Sequence, residues 1–145
     1  KNCTCTPMQI ANYQKKISGP ILDRIDIHIE VPRVDFNKLS AIEPGESSSA
    51  VRARVNAARR RQLERFQNMK IISNAEMSSE EVRRVCQTDS ATQELLKNAV
   101  QQMRLSARGY YRILKLARTI ADLANEENIK IEHVAEALQY RPKVE

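Results

Sequence analysis

The stretch LSARGYYRILKLARTIADLAN, residues 105–125, decides the fold. Tyr110, Ile113, Leu114, Ala117, Ile120, Ala121 and Ala124 recur at the three- and four-residue intervals that lay one side of an α-helix against a core. It is the most regular apolar stripe in the chain, and the polar residues Asn125 to Asn128 end it.

Reading outward from that helix, its neighbours are helical too. Ser78 followed by Glu81, and Ser90 followed by Gln93, have the spacing of capping boxes ahead of Val82 and Val85 and ahead of Leu95, Leu96, Ala99, Val100 and Met103. Val51 to Gln67 places Val51, Val55, Ala58, Leu63 and Phe66 at helical spacing. The arginines at 52, 54, 59, 60, 61 and 65 spread round the rest of that helix at ~100° per residue. Val134, Ala137 and Leu138 mark a last helix over His133 to Tyr140, after a short extended stretch at Ile129 to Ile131. Upstream, Pro7 to Lys16 carries a weaker helical pattern, broken by Ser18, Gly19 and Pro20, and Pro20 suits the first position of a new helix.

One segment changes period. Ile25, Ile27, Ile29 and Val31 alternate with Asp26, His28 and Glu30 up to Pro32, which predicts a β-strand with one buried face. A lone strand leaves its backbone groups unpaired, so this one is expected to belong to a sheet whose other strands lie upstream of the chain. Between strand and bundle, residues 35–49 hold Pro44, Gly45 and Ser47 to Ser49 and read as a linker. The chain starts at Lys1 and its cysteine pair looks like the tail of a motif, so it is expected to be part of a longer protein.

Composition agrees with a mainly α protein. The 145 residues include 3 Gly, no Trp and 4% aromatics, with helix-forming residues dominant. No window reaches the ~18 consecutive apolar residues of a membrane span, and the first thirty residues lack the basic-then-apolar layout of a signal peptide. Three cysteines are too few for a disulfide framework and favour a reducing, cytoplasmic setting. The net charge of +6 permits an anionic partner without specifying one.

The chemistry-bearing residues are sparse. Glycines at 19, 45 and 109 cannot build a phosphate loop, which excludes a stand-alone nucleotide hydrolase. His28 and His133 stand in no catalytic arrangement and read as a strand-face and a helix-surface residue. Cys3 and Cys5 supply two soft ligands where a tetrahedral zinc site needs four, and Cys86 reads as a buried or indifferent thiol. In ILDRID, residues 21–26, Arg24 sits between a helix start and a strand, where a guanidinium could reach a phosphate on a neighbouring molecule. An ordinary Asp-Arg surface pair is the competing reading.

Taken together, CTC at 3–5, ISGPILDRIDIHIEVP at 17–32 and LSARGYYRILKLARTIADL at 105–123 resemble the carboxy-terminal third of the magnesium-chelatase-like AAA+ ATPases of the ComM/YifB type. The resemblance covers nearly the whole chain. It implies a helical lid of the AAA+ type at residues 50–145, a linker at 35–49, and a remnant of the α/β ATPase core with one strand at 1–34. By position, Arg24 matches the arginine finger, which reaches the γ-phosphate held by the adjacent subunit of a ring. Arg108 matches the second sensor arginine, acting within its own subunit or across the interface. Cys3 and Cys5 match the second half of a cysteine cluster whose Cys-Pro-Cys-Gly half lies upstream, implying Zn2+ in the longer protein.

The resemblance further implies ATP and Mg2+ as cofactors of the full-length protein, a homo-oligomeric, hexameric ring, and DNA processing such as branch migration. Both Walker motifs and the first sensor are missing, so neither cofactor nor activity is expected of these residues alone, and porphyrin metallation is not implied. Arg59, Arg60 and Arg61 are the candidate DNA contacts. The alternative is a self-contained basic helical module that binds nucleic acid and has no nucleotide role.

Overall fold

The computed structural model describes residues 4–14, 16, 21, 24–33 and 45–141. Among these, the elements in chain order are α1 (Pro7–Gln14), α2 (Ser48–Arg65), a single 3-10 turn (Asn74–Glu76), α3 (Ser79–Val85), α4 (Ser90–Gln102), α5 (Ala107–Leu123) and α6 (Ile131–Gln139). The mainly helical bundle expected from the sequence is what forms.

The striped helix α5 is the spine. It packs against α2, α3, α6 and the 3-10 turn, while α4 packs on α6. Its Ile113, Leu114, Ala117, Ile120 and Ala121 meet Phe66, Val82, Leu96, Val134 and Ala137 in one buried cluster. Alanines at 117, 121 and 137 are wholly covered and let the helices approach closely. A parallel bridge between Thr88 and Ile129 ties the start of α4 to the start of α6.

The helix ends explain the boundaries. Ser78 forms the expected capping box with Glu81, and the hydrogen bonds from Ser78 hold the Glu81 carboxyl below its usual range. At α4 the cap is one residue earlier than expected. Asp89, not Ser90, accepts from the Thr92 N–H at 2.8 Å, and the Gln93 amide donates to the Thr88 carbonyl instead of closing a box. A carboxylate at the dipole's positive end is the stronger acceptor. Helix α5 stops in a Schellman turn: Asn125 takes φ 62°, Glu126 N–H donates to the Ala121 carbonyl and Asn125 N–H to that of Asp122.

Three further expectations change. Residues 25–31 form no strand, and Ile25, Ile27, Ile29 and Val31 are exposed, because no second strand stands beside them among the described residues. Helix α2 begins at Ser48, inside the expected linker, since the Ser47 hydroxyl accepts from the Ala50 N–H and starts the helix there. His133 is buried, not on the helix surface; its Nδ1 accepts from the Lys130 N–H at 3.0 Å and caps α6. Residues 34–44, most of the expected linker, lie outside the described residues, as do Cys3 and the segment 17–20.

Candidate functional site

Ser106 caps α5 by accepting from the Gly109 N–H at 3.1 Å, which sets Arg108 in the first turn of the helix. A cation there opposes the positive end of the helix dipole; α3, by contrast, carries Glu80 and Glu81 in its first turn. An exposed arginine at that end combines with the free N–H groups to attract an anion.

Arg24 lies beside it. Arg24, Met77, Ser79, Arg108, Tyr111, Arg112 and Lys115 line one open cleft of about 550 Å³. Four of these side chains are cationic and none is a carboxylate. The two arginines singled out from the sequence therefore share a site, although they stand 84 positions apart in the sequence numbering (108 − 24).

The sequence reading missed Arg112, Lys115 and Ser79. The signal was present: Arg108, Arg112 and Lys115 stand at i, i+4 and i+7, one face of α5. Two of the three are held in place. Arg112 Nη1 lies 2.7 Å from Asp26 Oδ1 and also donates to the Arg24 carbonyl, and Lys115 Nζ donates to the Ala75 carbonyl at 2.9 Å. The cleft suits a phosphate group, which wants several fixed donors.

The arginines of α2 separate into two groups. Arg54, Arg61 and Arg65 fall within about 40° of one another on the side of Ala58, and each has a partner. Arg54 pairs with Glu46 at 2.5 Å, Arg61 donates to the carbonyls of Asn125 and Glu126, and Arg65 pairs with Asp122 at 2.5 Å. Arg52, Arg59 and Arg60 occupy an arc of about 100° on the outward side and are exposed; Arg59 donates to Gln62 and Arg60 to its own helix backbone. Of the candidate DNA contacts, Arg59 and Arg60 thus face solvent and Arg61 faces the bundle.

The cysteines are set apart. Cys5 is exposed, Cys3 lies outside the described residues, and no three His, Cys, Asp or Glu side chains converge as metal ligands among the described residues. Cys86 is buried, and that burial pushes its thiol up to about 12. No described helix is long and apolar enough to cross a membrane.

Comparison with known proteins fits this geometry. Residues 45–141 match the magnesium chelatase subunit ChlI C-terminal family and residues 1–39 match the magnesium chelatase subunit ChlI family. The uncharacterized protein YifB of Escherichia coli K12 is 41% identical over 94% of this chain and 26% of its own length. The competence protein ComM of Haemophilus influenzae is 41% identical over 96% of this chain and 27% of its own. The uncharacterized protein Rv2897c of Mycobacterium tuberculosis is 37% identical over 97% of this chain and 28% of its own. The chain spans about a quarter of the length of these curated relatives. With both family models matched end to end along it, the chain belongs to the magnesium chelatase ChlI family, on the branch of YifB and ComM.

Proposed function

We propose that this chain is the arginine-finger and helical-lid segment of a ring-forming AAA+ ATPase that couples ATP hydrolysis to DNA processing. The observation that carries the reading is the shared cleft: Arg24 and Arg108 line it together with Arg112 and Lys115, and among the described residues no carboxylate lines it. If Arg24 serves the nucleotide of the adjacent subunit, Arg108 in the same cleft serves that same nucleotide, which favours action across the interface for both.

When bound, ATP with Mg2+ supplies the phosphoryl group and its divalent counter-ion. The residues here do the remaining electrostatic work. Arginine stays charged at any working pH and presents a rigid fork of donors, so Arg24 stabilises charge that develops on the transferring phosphoryl oxygens. Ser79 and the free N–H groups at the start of α5 add neutral donors to the same face. Zinc at Cys3 and Cys5 remains part of the proposal for the longer protein, with no role in these steps.

The DNA side rests on the outward arc of Arg52, Arg59 and Arg60, whose spacing on one helix face suits successive phosphates better than a ring of arginines would. The competence name of the H. influenzae relative points the same way.

Arg24→Ala in the full-length protein tests the reading. Turnover of ATP falls by about 10³-fold or more while nucleotide affinity is kept; wild-type turnover in the variant removes the finger assignment. The rival, a nucleic-acid-binding module without a nucleotide role, predicts unchanged turnover together with salt-dependent binding of duplex DNA that Arg52, Arg59 and Arg60 support, each losing about one unit of salt slope when replaced by Ala.

A further inference from the structure

The segment that carries Arg24 is bridged to the bundle more than packed against it. Ile25, Ile27 and Ile29 are exposed, and a cavity of about 230 Å³ opens between Asp26 and Ile27 on one side and Arg112, Leu116 and Thr119 on the other. Polar contacts hold it instead. Arg112 Nη1 reaches both the Asp26 carboxylate and the Arg24 carbonyl, Arg141 donates to the Ile25 carbonyl at 3.3 Å, and the His28 N–H donates to the Tyr140 carbonyl at 2.9 Å.

These contacts share a geometry. Arg112 stands one turn after Arg108 on the same face of α5, and of the contacts that tie the segment to the bundle it is the one made to Arg24 itself. A guanidinium that bonds a carboxylate and the neighbouring carbonyl through one nitrogen fixes the backbone of residues 24–26 relative to the helix axis. The Arg24 side chain is left exposed at the cleft while its own peptide carbonyl is tied down.

We propose that Arg112 is a positioning residue, which locks the Arg24 segment to the helix bearing Arg108 so that the two phosphate-reading arginines move as one unit. This rests on the reading of Arg24 as the finger. A tilt of the lid then carries Arg24 with it, and phosphate contact by either arginine is felt by the other. Asp26 acts through Arg112 by holding its guanidinium in register.

The competing account is an ordinary surface ion pair, since Asp26 is 59% and Arg112 24% exposed. The two accounts part in turnover. In the full-length protein, Arg112→Gln lowers kcat by roughly 10- to 100-fold and Asp26→Asn by roughly 3- to 10-fold. Both keep KM for ATP within about twofold, and both keep the unfolding temperature within about 3 °C. Asp26 is too exposed for its replacement by Asn to unfold the chain, so it guards against misreading a folding defect in Arg112→Gln. Arg112→Lys, which keeps the charge and loses the fork, recovers part of kcat. Wild-type kcat in either Arg112→Gln or Asp26→Asn overturns the proposal, as does a kcat loss matched by a fall in unfolding temperature. Arg24→Ala run in parallel separates the two failures. An inactive Arg24→Ala beside a fully active Arg112→Gln removes the positioning role alone, whereas an active Arg24→Ala removes the finger reading and this inference with it.

Discussion

The two ends of α5 use arginine in opposite ways. At its start, Arg108 and Arg112 lie in an open cleft lined by cations, with the exposed Asp26 as the one anionic partner among the described residues. Toward its end, Arg118 is 3% exposed and lies 3.2 Å from Asp122, itself wholly buried and bonded to Arg65 and Asn74. Arg118 also covers the Schellman turn, donating to the carbonyls of Glu126 and Glu127 at 2.7 and 2.6 Å. What separates a buried arginine that builds the fold from one left at the open cleft is thus how fully protein acceptors enclose its donors. Burial of a charge is tolerable only when paired and hydrogen-bonded, so the Arg118 guanidinium is bonded through both terminal nitrogens, its Nε alone lacking an acceptor among the described residues, while the start of α5 is open.

The largest stability effect lies at the buried, paired end. Asp122→Asn leaves Arg118 buried with no anion and costs about 3 to 5 kcal/mol, read as a fall in unfolding temperature on the order of 10 °C. Burial alone would raise the Asp122 carboxyl; the hydrogen bonds from Arg65 and Asn74 and the charges of Arg65 and Arg118 hold it below its ordinary value of 3.8 instead. A carboxyl depressed in the folded state contributes stability that is fully present above that ordinary value and lost as the pH falls through the depressed one. Thermal unfolding of the wild type between pH 6 and pH 2 therefore weakens below about pH 4, and Asp122→Asn flattens that part of the profile. An equally stable Asp122→Asn would show that the two ends of the helix do not differ as described.

At the open end the prediction inverts. Arg108→Ala removes a cation that the helix dipole disfavours, so stability stays within a few tenths of a kcal/mol of the wild type or rises slightly. Turnover by the full-length protein falls by about 10²-fold. A large loss of stability would place Arg108 with Arg118 among the structural arginines.

Periodicity revealed the core of this fold because apolar residues report their own burial: the α5 stripe and the Ser78 box read correctly from spacing. Polar residues report less. Asp89 and Ser90 both qualify as caps, and only the competition between acceptors decides for Asp89. The inward side of α2 is marked by Ala58 and Gln62 in place of large apolar residues, so its six arginines could not be sorted from the sequence. The Arg118 and Asp122 pair carried a usable signal, an i, i+4 ion pair beside the small residues Ala117 and Ala121. Arg65 and Asn74, which complete the network, reach it only through tertiary packing. The alternation at 25–31 promised a strand, but a ladder needs a partner and none stands there among the described residues. The site was half legible: resemblance marked Arg24 and Arg108, while Arg112 looked like any solvated helix position until Asp26 was seen beside it.

Gly109 gives the finest test of where the two regimes meet, and the smallest effect. It is buried at the third position of α5, and a Cβ there would come within 2.8 Å of Arg141 Nη2. The obstacle is the far end of a long side chain, so Arg141 has to shift, at the loss of contacts that include its bond to the Ile25 carbonyl. That bond is worth about 0.5 to 1.5 kcal/mol, against which Ala gains roughly 0.5 to 1 kcal/mol over Gly in a helix. The two nearly cancel, and Gly109→Ala is expected to unfold within about 3 °C of the wild type. Its effect falls on the segment that Arg141 holds, seen as faster amide exchange at His28, the next backbone anchor along, whose acceptor is Tyr140 beside Arg141. A loss of 3 kcal/mol or more, the scale of overpacking in a rigid core, would mean that Arg141 is as fixed as Arg118, and the boundary between the buried structural arginines and those of the open cleft would move toward the start of the helix.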